Sequence, residues 1–210
     1  MSRPTDRLTA RSCRGRRCHG ISLVELVIFI GIISVGLAGI LGVMNYMTRA
    51  SADTLAQKQA LAIAEAYLEE VLAMPFTYCD PDDVNAATAQ STAAVNPADP
   101  TRCAVTLEAI GTEGETRGST TTPYDNVNDY SSLPAGAPAS VDGTAIGGLG
   151  AYSVSVAVAA TALVASSATV AANDANGRPQ SLRVTVTVTG PGTTVVLDGY
   201  RTRYAPNALP

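Results

Sequence analysis

Ile21-Ser-Leu-Val-Glu-Leu-Val-Ile-Phe-Ile-Gly-Ile-Ile-Ser-Val-Gly-Leu-Ala-Gly-Ile-Leu-Gly-Val43 contains one charged side chain, Glu25, in 23 residues (21 to 43). Wound as a helix rising ~1.5 Å per residue, this run is long enough to cross the ~30 Å hydrocarbon layer of a bilayer. A secretory signal has a shorter apolar core, about 7–15 residues, closed by a small-residue cleavage site. Here the core is longer, and no A-x-A-like site follows before the helical pattern resumes. One reading is therefore an uncleaved signal anchor, with its basic flank inside and the C-terminal body outside.

The flank before the run supports that orientation. Residues 1–20 carry six Arg and one Asp, a net of +5, and positive charge beside an apolar span is held on the cytoplasmic side. With 14 Lys+Arg and 18 Asp+Glu in the whole chain, residues 21–210 keep 8 against 17, a net of −9. A body of that sign repels phosphate backbones, so general nucleic-acid binding is not expected. The four cysteines divide in the same way. Cys13 and Cys18 lie in the basic flank, where a reducing cytosol keeps thiols. Cys79 and Cys103 lie beyond the span, where oxidation pairs them or leaves two unrelated small buried residues. The paired reading closes a loop of about 25 residues and adds ~3 kcal/mol.

Glu25 requires a physical reason, because an unpaired carboxylate in hydrocarbon costs ~2.5–3.5 kcal/mol or more. Gly20 stands at the junction of flank and span. A cut after Gly20 gives Ile21 a free ammonium at the positive end of a helix, where a carboxylate one turn along is favoured. The amine and Glu25 lie along one helix, so a neighbouring copy shifted along the axis is the better partner. The charge reads as an assembly device.

The residues Arg16-Arg-Cys-His-Gly20 followed by Ile21-Ser-Leu-Val-Glu-Leu26 resemble the class III signal of type IV prepilins and type II secretion pseudopilins. In that superfamily a basic leader ends in Gly, an apolar residue follows, and Glu stands fifth in the mature chain. The resemblance implies cleavage between Gly20 and Ile21, N-methylation of Ile21, and Glu25 as the assembly carboxylate. Ile21 replaces the more usual Phe or Met. A prepilin peptidase, an inner-membrane assembly platform, membrane lipid and fellow pilins are the implied partners, with no cofactor. The leader (1–20) is expected in the cytoplasm and the head in the periplasm, before passage into a filament.

Past Val43 the helical pattern continues through a segment rich in Ala, Leu, Glu and Gln, with Leu61, Ala64, Leu68, Val71 and Leu72 in one stripe and Glu65, Glu69 and Glu70 largely off it. Pro75 should end it near Met74. Residues 21–74 make about 80 Å of helix, so a transmembrane part (21–43) and an amphipathic continuation (44–74) are expected. Ser34, Ala38 and Gly42 form a small-residue stripe that permits close helix approach; glycine is also simply common in membrane helices. The expected fold is α+β, the lollipop of the pilin superfamily: a long N-terminal helix packed on a C-terminal antiparallel sheet.

In the head (75–210), Pro and Gly punctuate residues 76–150 and leave room for one short strand, Ala104–Ile110. Alternation then marks three strands, Tyr152–Ala159, Leu182–Thr189 and Thr193–Tyr204, the last two joined by a hairpin at Gly190-Pro191-Gly192. Leu182, Val184, Val186 and Val188 share one face. The apolar stretch Ala162–Ala172 suits a strand extension or a short helix. Segments such as Pro75–Asp83, Tyr124–Tyr130, Asp142–Ile146, Leu197–Tyr204 and Ala62–Glu70 are similar to minor pilins of the mannose-sensitive haemagglutinin (MSHA) type, in the MshD-like group.

Enzymatic chemistry is not expected. The only His, His19, lies in the leader, the only Lys is Lys58 on the stem, and no P-loop or paired CxxC occurs. Asp80, Asp82 and Asp83, or Asp125 and Asp129 with their Asn neighbours, offer hard oxygens to calcium. Their spacing is not that of an EF-hand, and Asx turns are the commoner cause of such runs. Tyr124, Tyr130, Tyr200 and Tyr204 suit an adhesive patch or packing at core and sheet edge. A secretion pseudopilin shares every feature of residues 16–74, and a signal-anchored periplasmic binding domain that never polymerises stands as the reading from a different class.

Overall fold

The structure, a computed structural model, describes residues 22–209. The leader and the expected cleavage pair, Gly20 and Ile21, lie outside the described residues. The chain divides into two units, one ending at Thr48 and one beginning at Arg49.

Helix α1 runs Leu23–Ala73, 51 residues. In the first unit its apolar side chains, from Leu23 to Met47, are exposed. Ser34 returns its hydroxyl to the Ile30 carbonyl at 2.7 Å, so even this polar group is satisfied within the helix.

In the second unit the helix buries Ala60, Ile63, Ala64, Tyr67 and Val71, with Leu68 and Leu72 packed beside them. The buried stripe is thus turned from the expected one: Leu61 remains exposed, while Ile63 and Tyr67 enter the core. The helix stops before Pro75, as a residue without an N–H requires. Its last turn has no basic residue of its own, and Arg201 donates from Nη2 to the free Met74 carbonyl at 3.2 Å.

The stripe lies on a four-stranded antiparallel sheet of order β1-β2-β5-β6: β1 Ser132–Gly136, β2 Ser153–Ala160, β5 Ser181–Gly190 and β6 Thr193–Thr202. Register fixes the faces. Val154, Val156 and Val158 pair with Val188, Val186 and Val184, and all six are buried. Each such valine contributes about 1.5–3 kcal/mol by leaving water. Gly199 of β6 pairs with Val184, and a Cβ there would stand 2.9 Å from Cδ1 of Leu68 and 3.0 Å from Cδ1 of Leu72. The missing side chain lets the helix settle on the sheet. The β5–β6 hairpin turns at Pro191-Gly192, with Gly192 at φ 69°.

One expected strand is absent, and two other stretches acquire strands. Ala104–Ile110 is not a strand. Only Leu107 forms a bridge, to Cys79, because the N–H groups of Ala104, Val105 and Thr106 are taken by the Asp83 carboxylate. An unanticipated strand, β1, carries Pro134, which an edge position with an irregular register tolerates. Ala162–Ala172, left open between strand and helix, holds a two-stranded ribbon, β3 Leu163–Val164 with β4 Thr169–Val170.

Candidate functional site

In the first unit the chemistry is simple. Leucine, isoleucine and valine project from Leu23 to Val43, with Phe29 among them, and Glu25 sits in the first turn. A protein surface of this kind is stable only when lipid or other apolar helices cover it. Among the described residues this is the one helix long and apolar enough to cross a membrane.

In the second unit the helix is tied to the loop-rich half of the head by a polar lock. Arg117 donates from Nε and Nη2 to the two carboxylate oxygens of Glu70, both at 2.8 Å, and from Nη2 to the Ala139 carbonyl at 3.1 Å. Tyr130 donates its hydroxyl to Glu70 Oε1 at 2.8 Å. Tyr67 donates to the Ala139 carbonyl and accepts its N–H, while its ring lies 4.9 Å under the Arg117 guanidinium. Burial disfavours the charge on Arg117, but Glu70 outweighs it and holds the guanidinium pKa above its ordinary value. Burial, then the Glu70 charge, raises the Tyr130 hydroxyl. Glu70, expected off the apolar stripe, is thus a structural anchor; only its partner's position, 47 residues away, shows why.

The paired reading of the cysteines is the one found: Cys79 and Cys103 form a disulfide across Cα atoms 5.4 Å apart, fully buried. Beside it the acidic residues separate into different roles. Asp83 accepts N–H bonds from Asn85, Ala104, Val105 and Thr106 at 2.7–3.0 Å. Burial by itself would raise its pKa, and these four donors together bring it below the ordinary value. It is a loop clamp. Asp82 is exposed.

Asp80 and Asp125, by contrast, meet Glu115, with one oxygen of each within 4.8 Å of the others. Asp129 lies next to this trio, its Oδ2 accepting from the backbone of Asp125 and Asn126. Glu115 and Glu108 were not among the sequence candidates, since neither stands in an Asp/Asn run. Burial, then the charges of Glu113, Asp129 and Asp80, push Glu108 up to about 10. Burial, then Asp80, Asp82 and Glu113, push Asp125 up to about 6. Burial, then the charges of Asp129 and Asp125, raise Glu115 to about 8; burial raises Asp129 to about 7 against the pull of the Asn126 and Asp125 N–H groups. None of these acids forms an ion pair among the described residues.

The four tyrosines divide. Tyr130 is buried, with Tyr124 edge-on to it at 5.0 Å, whereas Tyr200 and Tyr204 are exposed. No protein-family model, curated protein or solved structure matches the chain.

Proposed function

We propose that the chain is a type IV pilin-like subunit, a minor pilin of the MSHA type, processed by a prepilin peptidase and assembled through its N-terminal helix. The observation that carries this reading is the division of labour along one helix. From Leu23 to Val43 it offers only apolar surface with Glu25 near its start, and from Ala60 to Val71 it is built into a folded head. A simple anchor has no use for a carboxylate in its first turn inside hydrocarbon, whereas a subunit that receives the terminal ammonium of a neighbour does. In this reading Gly20–Ile21 is cut, Ile21 is methylated, the leader is cytoplasmic, and the head is held in the periplasm until the stem joins other stems. The buried Cys79–Cys103 disulfide supports an oxidising compartment for the head.

The test is the N-terminal sequence and intact mass of the membrane-extracted protein, with and without prepilin peptidase. A chain that begins at N-methyl-Ile21 only when the peptidase is present supports the reading. A chain that keeps residues 1–20 in both strains overturns it in favour of a signal-anchored domain.

A further inference from the structure

We propose that the free edge of β6 is a docking site for an extended segment of a partner protein, one whose alternate side chains run apolar, basic, apolar. The inference does not depend on how the stem helix is used.

The two edges of the sheet differ. β1 closes one side with only five residues, Pro134 among them, and its register with β2 is irregular. Shortness, proline and irregularity are the means by which a sheet edge is kept from pairing with another chain. β6 closes the other side with ten residues, Thr193–Thr202, all paired in unbroken register with β5. It contains neither proline nor lysine, and among the described residues no strand or isolated bridge lies on its outer side. The one further backbone bond to it, Tyr204 N–H to the Thr202 carbonyl at 3.0 Å, falls on its last residue. An open row of N–H and C=O groups at strand spacing is complemented in full only by another extended chain.

The side chains beside that edge say what the extended chain carries. Gly199 faces Leu68 and Leu72 of the helix, so the alternate residues Val196, Asp198 and Tyr200 face away from it. All three are exposed, Val196 at 54 % and Tyr200 at 53 %, whereas Val195 and Leu197 pack against the core. Next to Tyr200 the β3–β4 ribbon leaves a cavity of about 380 Å³ whose wall includes Leu163, Val164 and Val170, a space that an apolar side chain fills. Asp198 is the sole charge on this face of β6. It accepts a hydrogen bond from the Thr185 hydroxyl and forms no ion pair among the described residues. Across a new strand pair a basic residue opposite Asp198 is favoured and an acidic one opposed, while β-branched residues suit the places opposite Tyr200 and Val196.

Charge also separates a foreign segment from a second copy. The same face of a second β6 offers Thr194, Val196, Asp198, Tyr200 and Thr202, with no basic residue among them, and leaves Asp198 uncompensated.

The test uses the nitrogen-15-labelled full chain in a non-ionic detergent and two peptides, acetyl-Ser-Val-Thr-Lys-Thr-Val-Ser-amide and the same sequence with Glu in place of Lys. Amide shifts and amide hydrogen exchange are followed as peptide is added to about 5 mM, a range that captures millimolar contacts. Saturable shifts in β6 and in the β3–β4 ribbon are expected, with slower exchange of β6 amides. The lysine peptide should bind about fivefold more tightly than the glutamate peptide, the scale of trading one favourable cross-strand charge pair for an unfavourable one. Asp198→Lys should reverse that order, which a general loss of structure does not do, and its thermal midpoint shows whether it folds. Asp198→Asn should make the two peptides equal, and it answers the question if the lysine variant fails to fold. Absence of saturable β6 shifts with both peptides overturns the proposal, as does equal affinity for the two in the parent. A concentration-dependent dimer by light scattering that itself protects the β6 amides also overturns it, because a second copy then covers the edge.

Discussion

Removing Glu70 from beneath Arg117 tests how the stem helix is fixed to its head. In the pair, two parallel N–H···O bonds of 2.8 Å join side chains that are only 8 % and 12 % exposed. Solvent screening is accordingly weak, and Glu70→Met leaves a guanidinium buried without its counter-ion. Breaking such a pair from one side costs about 3–5 kcal/mol. The Tyr130 hydroxyl loses its acceptor at the same time. For a unit of this size each kcal/mol moves the midpoint by about 2–4 °C, so a fall of roughly 6–20 °C is expected. Arg117→Met should cost a comparable amount, since it strands the Glu70 carboxylate. The double variant Glu70→Met/Arg117→Met should recover most of that loss, because two apolar side chains of similar reach can fill the site. The assay is thermal and urea unfolding of the full chain in non-ionic detergent, read by circular dichroism, for the parent and three variants. A coupling energy above about 2 kcal/mol, little changed between low and high salt, is the expected result. Additive single effects, or a loss under about 1 kcal/mol for Glu70→Met, would refute the claim that this lock joins helix to loops.

Two further outcomes follow from the head. Asp83→Ala should destabilise by at least about 2 kcal/mol at neutral pH, since the N–H groups of Ala104, Val105 and Thr106 lose their acceptor. The sign with pH is set by the depressed pKa of Asp83: its contribution is full above the unfolded value near ~3.9 and is lost as pH falls through the lower folded value, so parent and variant should converge in strong acid. Reduction of Cys79–Cys103, which lie 24 residues apart, should cost about 3 kcal/mol in a urea titration with and without reductant; equal midpoints would argue that the loop is already constrained in the unfolded chain.

Much of the architecture was legible in the sequence because it rests on local periodicity. A 23-residue apolar run closed downstream by a proline at 75, and alternating patterns at 152–159, 182–189 and 193–204, specify elements without reference to distant residues, and α1, β2, β5 and β6 lie close to where those patterns place them. Charge placement and the position of Glu25 led to the functional proposal in the same way. Tertiary structure alone decided what depends on encounters between distant segments. Ala104–Ile110 has strand composition, yet Asp83 captures its N–H groups before a neighbouring strand does. Pro134 sits in a strand because the fold leaves that position at an edge. Glu70 looks solvated by helical spacing until Arg117 arrives from another loop, and Asp80 meets Glu115 and Asp125 only once their loops fold together. Local pattern records which face a residue presents; the partner it meets there is chosen by packing among segments dozens of residues apart.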